Sequence, residues 1–223
     1  MTGTMTVRPA GRDDAREVAV ALGRAGLDET VFSWVVPDEQ ARRARVEAWT
    51  DHALGWVSGV LDTGEILVAQ QDGGEILGLS VWEFFPGGPA RPDPAAAAEQ
   101  AAFVARAYGE YAPRMALVAE VTRARHPDRE PYWYLQQMAV VPASRGQGLG
   151  AAMLRHQVAK ADAAGIGAYL EASSPRNRAL YARHGFRARG EPIWLPDGGP
   201  GIQPMWREPR GDPSTAPSTP PVG

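Results

Sequence analysis

Apolar residues along this chain change spacing several times, and each change marks an element. Thr6-Val7-Arg8 alternates as a short first strand. Arg12-Asp13-Asp14 then offers an N-cap to a helix through Val18, Val20, Ala21 and Leu22 that stops near Gly26. Residues 27–36 read as a loop carrying Phe32 and Trp34. A second helix starts at Pro37, runs through Val46, Trp49, Leu54 and Val57, and ends between Gly59 and Gly64. Residues 65–69 and 76–82 have the spacing of two strands, and Gln71-Asp72-Gly73-Gly74 between them has hairpin chemistry, closed off by Phe84-Phe85-Pro86-Gly87-Gly88-Pro89.

Two alanine-rich stretches, 94–108 and 114–124, predict helices inserted before a fourth strand at 133–141. That strand's alternation breaks at Gln136-Gln137. Either a bulge splays the strand from its neighbour, or this is an edge position with one glutamine in solvent. Leu149, Met153, Leu154, Val158 and Ala161 then repeat at helical spacing, and 168–172 form a fifth strand. Ser174-Pro175 starts a short helix that Gly185 ends. Residues 186–191 and 202–206 predict a closing antiparallel pair around the Asp197-Gly198-Gly199-Pro200 loop. The order β-α-α-β-β-(insert)-β-α-β-α-β-β implies an α/β fold with a mixed sheet and helices on both faces. One domain over 1–208 is expected, with a Pro/Ser/Thr-rich, disordered tail at 209–223.

Composition narrows the chemistry. A net charge of −3 gives no support to a nucleic-acid partner. The absence of cysteine excludes disulfides, thiolate metal sites and a Cys nucleophile. No apolar leader or membrane span is visible, so a soluble cytoplasmic protein is expected. Lys160 is the only lysine and Asn177 the only asparagine, a bias like that of GC-rich bacterial genomes.

The most informative stretch follows the fourth strand. Pro142 ends the strand, Arg145-Gly146-Gln147-Gly148-Leu149-Gly150 follows, and a helix starts at once. Glycines let successive N–H groups turn toward an anion, and the helix dipole adds positive potential there. A phosphorylated ligand is the expectation. The P-loop pattern is absent, because Ala151-Ala152 stand where Lys-Ser/Thr would follow Gly150. The dinucleotide fingerprint lacks its third glycine, since Met153 and Leu149 occupy the two possible positions.

The spacing Val140-x-Pro142-x-x-Arg145-x-x-Gly148-x-Gly150 resembles the acetyl-CoA pyrophosphate motif of the GNAT superfamily of N-acetyltransferases. Glu130-Pro131-x-Trp133-x-Leu135, Leu170-Glu171-Ala172-Ser173, Pro175-Arg176-Asn177 and Leu180-Tyr181-x-x-x-Gly185-Phe186 are similar to its puromycin N-acetyltransferase-like branch. The likeness is dense from about residue 126 to 207 and topological before that. It implies a GNAT fold: a mostly antiparallel, splayed central sheet with a helical insertion before the fourth strand.

The resemblance implies acetyl-CoA as co-substrate and no metal. The amides of Arg145, Gly146, Gln147, Gly148 and Gly150, with Ala151, would hold the pyrophosphate. Met138, Ala139 and Val140 would pair with the pantetheine amides, a strand N–H polarising the thioester carbonyl. Asn177 would contact pantetheine, and Tyr181 would protonate the leaving thiolate. The alternative for Tyr181 is a half-buried aromatic beside Phe186.

The general base is open. Gln136 and Gln137 stand where many relatives carry glutamate, and an amide cannot take a proton. Glu171 is the first choice, against a structural acceptor role; His126 is second, and a water chain needs no residue. The expected reaction is direct acetyl transfer to a small-molecule primary amine, antibiotic-like or amino-acid-like, with Phe32 and Trp34 as plausible pocket walls. Rival readings are a non-catalytic acyl-CoA sensor and a nucleotide-dependent oxidoreductase. A monomer or homodimer is expected, Trp194 serving as dimer contact or core.

Overall fold

The computed structural model describes residues 4–71, 74–88, 94–128 and 131–211, with the backbone alone at 49, 51 and 52. Asp72-Gly73 of the hairpin link, Pro89, Glu130, the side chain of Trp49 and tail residues 212–223 lie outside the described residues.

Among the described residues, eight strands build the sheet: β1 (Met5–Pro9), β2 (Glu65–Gln71), β3 (Ile76–Phe85), β4 (Tyr132–Val140), β5 (Gly167–Ala172), β6 (Arg187–Ala188), β7 (Ile193–Trp194) and β8 (Gly201–Arg207). Their order is β1-β2-β3-β4-β5-β8-β6, with β7 also on β8. Every pairing is antiparallel except β4–β5. That parallel step needs a crossover, and α6 (Leu149–Ala163) supplies it. The remaining helices are α1 (Ala15–Gly26), α2 (Thr30–Val35), α3 (Glu39–Thr63), α4 (Pro94–Tyr108), α5 (Ala112–Arg123) and α7 (Pro175–Arg183). The architecture is the open, mostly antiparallel sheet expected, flanked by helices on both faces.

Apolar cores on both faces of the sheet hold it. Val18 and Ala19 of α1 and Ala53 and Val57 of α3 pack on Val68, Leu79 and Val81 of one sheet face. On the other face Leu154 and Val158 of α6 and Tyr181 of α7 meet Leu67, Leu135, Leu170 and Met205. A third core joins Val35, Tyr108 and Val118 to Ile193, Leu195 and Ile202, so α2, α4 and α5 cover the last strands. The α6 face is also pinned by charge. Arg207, 3% exposed, donates to both Asp162 oxygens at 2.7 and 2.6 Å.

Several boundaries differ from the sequence reading. Residues 27–36 are not all loop, because α2 forms there. Glu29 caps it by accepting from Phe32 N at 2.7 Å, a role usually given to Ser, Thr, Asp or Asn. Helix α3 starts at Glu39 rather than Pro37, capped by Asp38 through Ala41 N at 2.6 Å, and ends at Thr63, within the expected Gly59–Gly64 stretch. The closing pair is shorter than expected: β6 spans two residues, and Arg189 N donates to Pro204 O at 2.8 Å just beyond it. Pro204 has no N–H to return, and β7 takes over the start of β8. Trp194 is not core; it is 73% exposed.

The glutamine pair in β4 is a bulge on an interior strand, not an edge. Val81 pairs with Gln137 and Trp82 with Leu135, which leaves Gln136 as the extra residue. One extra residue reverses the alternation. Before it, Trp133 and Leu135 face α6; after it, Met138 and Val140 do, while Ala139 and Val141 join the opposite core.

Candidate active site

Strand β4 passes through a 3-10 turn (Pro142–Ser144) into the glycine loop. Gly148, at φ 86°, is the N-cap residue of α6, and no side chain caps this helix. The first internal bond is Ala152 N to Gly148 O at 2.9 Å, so the N–H groups of Leu149, Gly150 and Ala151 have no acceptor within the helix. Three amides and a dipole end thus converge on one point, a fit for a diphosphate. Gly150 allows close approach for another reason: a Cβ there would lie 3.3 Å from Met138 Sδ and 3.4 Å from Leu180 Cδ2. The start of α6 is wedged between β4 and α7.

The side chains of the loop are committed elsewhere. Arg145 forms an ion pair with Asp28 and donates to Ala25 O at 3.1 Å and Val140 O at 3.2 Å, which ties the loop to the end of α1. In return Arg145 holds the Asp28 carboxyl below its usual range, chiefly by hydrogen bonding. Gln147 donates to Ala143 O at 3.4 Å. Backbone rather than side chains faces the cradle.

Beside the cradle runs a slot. Strand β4 pairs with β5 only from Tyr132 to Leu135. Beyond the bulge Met138, Ala139 and Val140 keep β3 as partner but have none on the β5 side. Their free edge can take an extended amide chain as a pseudo-strand. Helix α7 forms one wall, started by Ser174, whose Oγ accepts from Asn177 N at 3.2 Å. Asn177 is half-buried, while Tyr181 is buried edge-on to Phe186, ring centroids 6.1 Å apart. Burial raises the Tyr181 phenol well above its ordinary value, and the charge of Glu29 adds to this.

Glu171 occupies the opposite face. Its neighbours Leu170 and Ala172 pack with Tyr181, so strand alternation turns Glu171 away from α7. Its side chain is 6% exposed, with His126 Nε2 3.5 Å from Oε1. His126 Nδ1 is 3.0 Å from Tyr132 Oη, and its ring lies 4.4 Å from Tyr134 and 5.0 Å from Tyr169. Phe85 stacks on Tyr132 at 5.1 Å. Burial raises the carboxyl to about 7; the Tyr169 and Tyr134 phenols oppose this without offsetting it. Burial drives His126 down to about 4. Neither Glu171 Oε1 nor Tyr169 Oη closes a hydrogen bond among the described residues, so Oε1 remains an open acceptor.

The two base candidates are therefore adjacent, and the two catalytic candidates flank the slot from opposite faces. Phe32 and Trp34 pack with the inserted helices: Phe32 lies edge-on to Tyr108 at 6.3 Å, and Trp34 donates to Pro196 O at 3.1 Å beneath Arg114. Tyr134, Tyr169 and Glu83 are site residues the sequence reading missed. Only the pairing of β3, β4 and β5 brings them together. No cluster able to hold a metal occurs among the described residues, nor any helix long and apolar enough to cross a membrane.

Residues 98–188 match the model of the acetyltransferase (GNAT) domain. A crystal structure of histone acetyltransferase HPA2 and related acetyltransferase from Corynebacterium glutamicum is similar at 27% identity and a TM-score of 0.64, over 94% of this chain and 99% of that one. Arylalkylamine N-acetyltransferase 2 from Aedes aegypti gives 0.63 at 13% identity, over 93% and 100%. An N-acetyltransferase from Staphylococcus aureus gives 0.55 at 16%, over 93% and 99%. The last two likenesses concern the fold alone.

Proposed function

Residues 98–188 match the acetyltransferase (GNAT) domain, and we propose that this acyltransferase acetylates the primary amine of a small molecule by direct attack within a ternary complex. GNAT acetyltransferases use acetyl-CoA, which supplies a thioester acyl group and a thiolate as leaving group. One observation carries the reading: the unpartnered edge of Met138–Val140 runs from the uncapped amides of α6 to a gap flanked by Glu171 and Tyr181.

Each residue then has a physical role. The amides at the start of α6 bind the diphosphate, and the β4 edge aligns the chain that follows. Asn177 adds a polar contact from α7. Glu171 takes the amine's proton as the new C–N bond forms, its carboxyl near 7 suiting a base at neutral pH. Tyr181, a phenol that burial keeps protonated well past neutral pH, gives a proton to the departing sulfur as the C–S bond breaks. The sequence likeness to the puromycin-type branch supports an acceptor resembling an aminonucleoside, an aminoglycoside or an amino acid.

Isothermal titration with acetyl-CoA, controlled by free CoA and NADPH, tests the premise. A thiol-release assay across an amine panel that includes puromycin tests the reaction. Micromolar CoA binding with thiol release is the expected result. Binding without release on any amine points to an acyl-CoA sensor, and no CoA binding overturns the reading.

A further inference from the structure

Glu83 is a half-buried carboxylate with no cation or hydrogen-bond donor paired to it among the described residues. Several other half-buried carboxylates are engaged: Glu65 by Lys160, Asp14 by Arg8 and Asp162 by Arg207. Removing a carboxylate from water without a counter-charge costs free energy that nothing among the described residues returns. Glu83 lies in the wall of a cavity of about 230 Å³ between the end of α3 and the sheet. Trp56, Val60 and Thr63 line one side, and Val81 and the bulged Gln136 line the other.

The cavity adjoins the site already described. Glu83 pairs with Tyr134, and Tyr134 pairs with Tyr169, so all three side chains share one face with Glu171. Two strand spacings across and two residues along put the Cα atoms of Glu83 and Glu171 about 12 Å apart. Gln136, displaced by the bulge, stands between them.

We propose that this cavity is a second part of the acceptor site and binds the distal ammonium of a dicationic amine, with the Glu83 carboxylate as counter-ion and the Trp56 ring as an apolar and cation-attracting wall. The proposal rests on the acetyltransferase reading for the first ammonium, the one that reacts beside Glu171. The spacing selects the substrate class: a slender diamine or polyamine whose nitrogens lie on the order of 10 Å apart. The Gln136 amide oxygen supplies a neutral acceptor on the path between the two carboxylates. Burial pushes the Glu83 carboxyl upward, which an incoming ammonium would reverse.

The test uses α,ω-diaminoalkanes of graded length against n-alkylamines of the same length. Wild-type protein should show a diamine-to-monoamine ratio in kcat/KM of about tenfold or more, and Glu83→Gln should bring that ratio close to one. A wild-type ratio near one, or a ratio unchanged in Glu83→Gln, overturns the proposal. Calorimetric titration of the same amines, with and without free CoA, reads the cavity independently of acyl transfer. If no amine releases thiol from acetyl-CoA, the acetyltransferase reading fails. Diamine affinity that ignores Glu83→Gln then rejects the cavity separately. Should Glu83→Gln lose its native circular dichroism, Gln136→Glu decides, since a second carboxylate must raise the diamine preference.

Discussion

His126 Nε2 lies 3.5 Å from Glu171 Oε1, and burial drives these two groups in opposite directions, the carboxyl up to about 7 and the imidazole down to about 4. Their usual order of acidity is inverted. Near pH 6 the carboxyl holds the proton and the imidazole is neutral, so the pair is not an ion pair.

Stability should expose this inversion. The folded pKa of Glu171 exceeds the ordinary 4.5, so between 4.5 and about 7 the folded state binds more protons and stability falls as pH rises. The folded pKa of His126 lies below the ordinary 6.5, so from about 4 to 6.5 stability rises with pH. In the wild type these slopes oppose one another. Glu171→Gln should leave melting temperatures that climb across the histidine window, and His126→Asn should leave temperatures that decline across the glutamate window. Each isolated contribution is on the order of 3 kcal/mol. Flat profiles in both variants contradict the inversion.

Turnover should depend on the same carboxyl. As a base Glu171 must be ionised, so kcat/KM rises with pH through about 7 and levels above it. Glu171→Gln should remove that limb and lower the rate by about 10²-fold or more. A variant that keeps both rate and profile excludes the assignment.

Tyr181→Phe keeps the ring against Phe186 and deletes only the hydroxyl. Turnover should drop by roughly 10²-fold while the dissociation constant for CoA changes by less than about threefold. Parallel losses in both would mean that the phenol holds the slot open and does not act on sulfur.

Gly148 and Gly150 should fail for different reasons. At φ 86° an alanine in place of Gly148 costs about 1–2 kcal/mol in backbone strain, and the N-cap turn shifts. Gly150→Ala keeps helical geometry but presses on Met138 and Leu180. Titration should show weaker CoA binding in both. A pantetheine fragment lacking the diphosphate should distinguish them, its affinity falling only in Gly150→Ala, where the slot narrows.

Much of this site is legible because its parts are local. The glycine loop, the uncapped start of α6 and the Ser174-Pro175 start of α7 each lie within a few residues, and short-range geometry fixes them. Glu29 escapes because glutamate is an unusual cap and α2 is too short to show a period. The Gln136-Gln137 pair can be seen to break alternation, but only the register with Val81 and Trp82 decides which residue is extra. The aromatic shell of Glu171 has no local signature at all. Tyr134 and Tyr169 meet through parallel pairing, and His126 arrives from the end of the inserted helices. The acceptor side is therefore less legible than the cofactor side.

An unpaired strand edge normally invites another chain to add to it, the first step toward aggregation. In this fold the exposed hydrogen-bonding edge of Met138–Val140 lies within the sheet, with β5 beyond it and α6 and α7 covering one face. A neighbouring protein's strand carries side chains on both of its faces, and here one face is already covered by α6 and α7. A thin linear chain of amides carries none. The Gln136 bulge thus leaves an adhesive edge inside the sheet, where a chain without side chains meets the least obstruction.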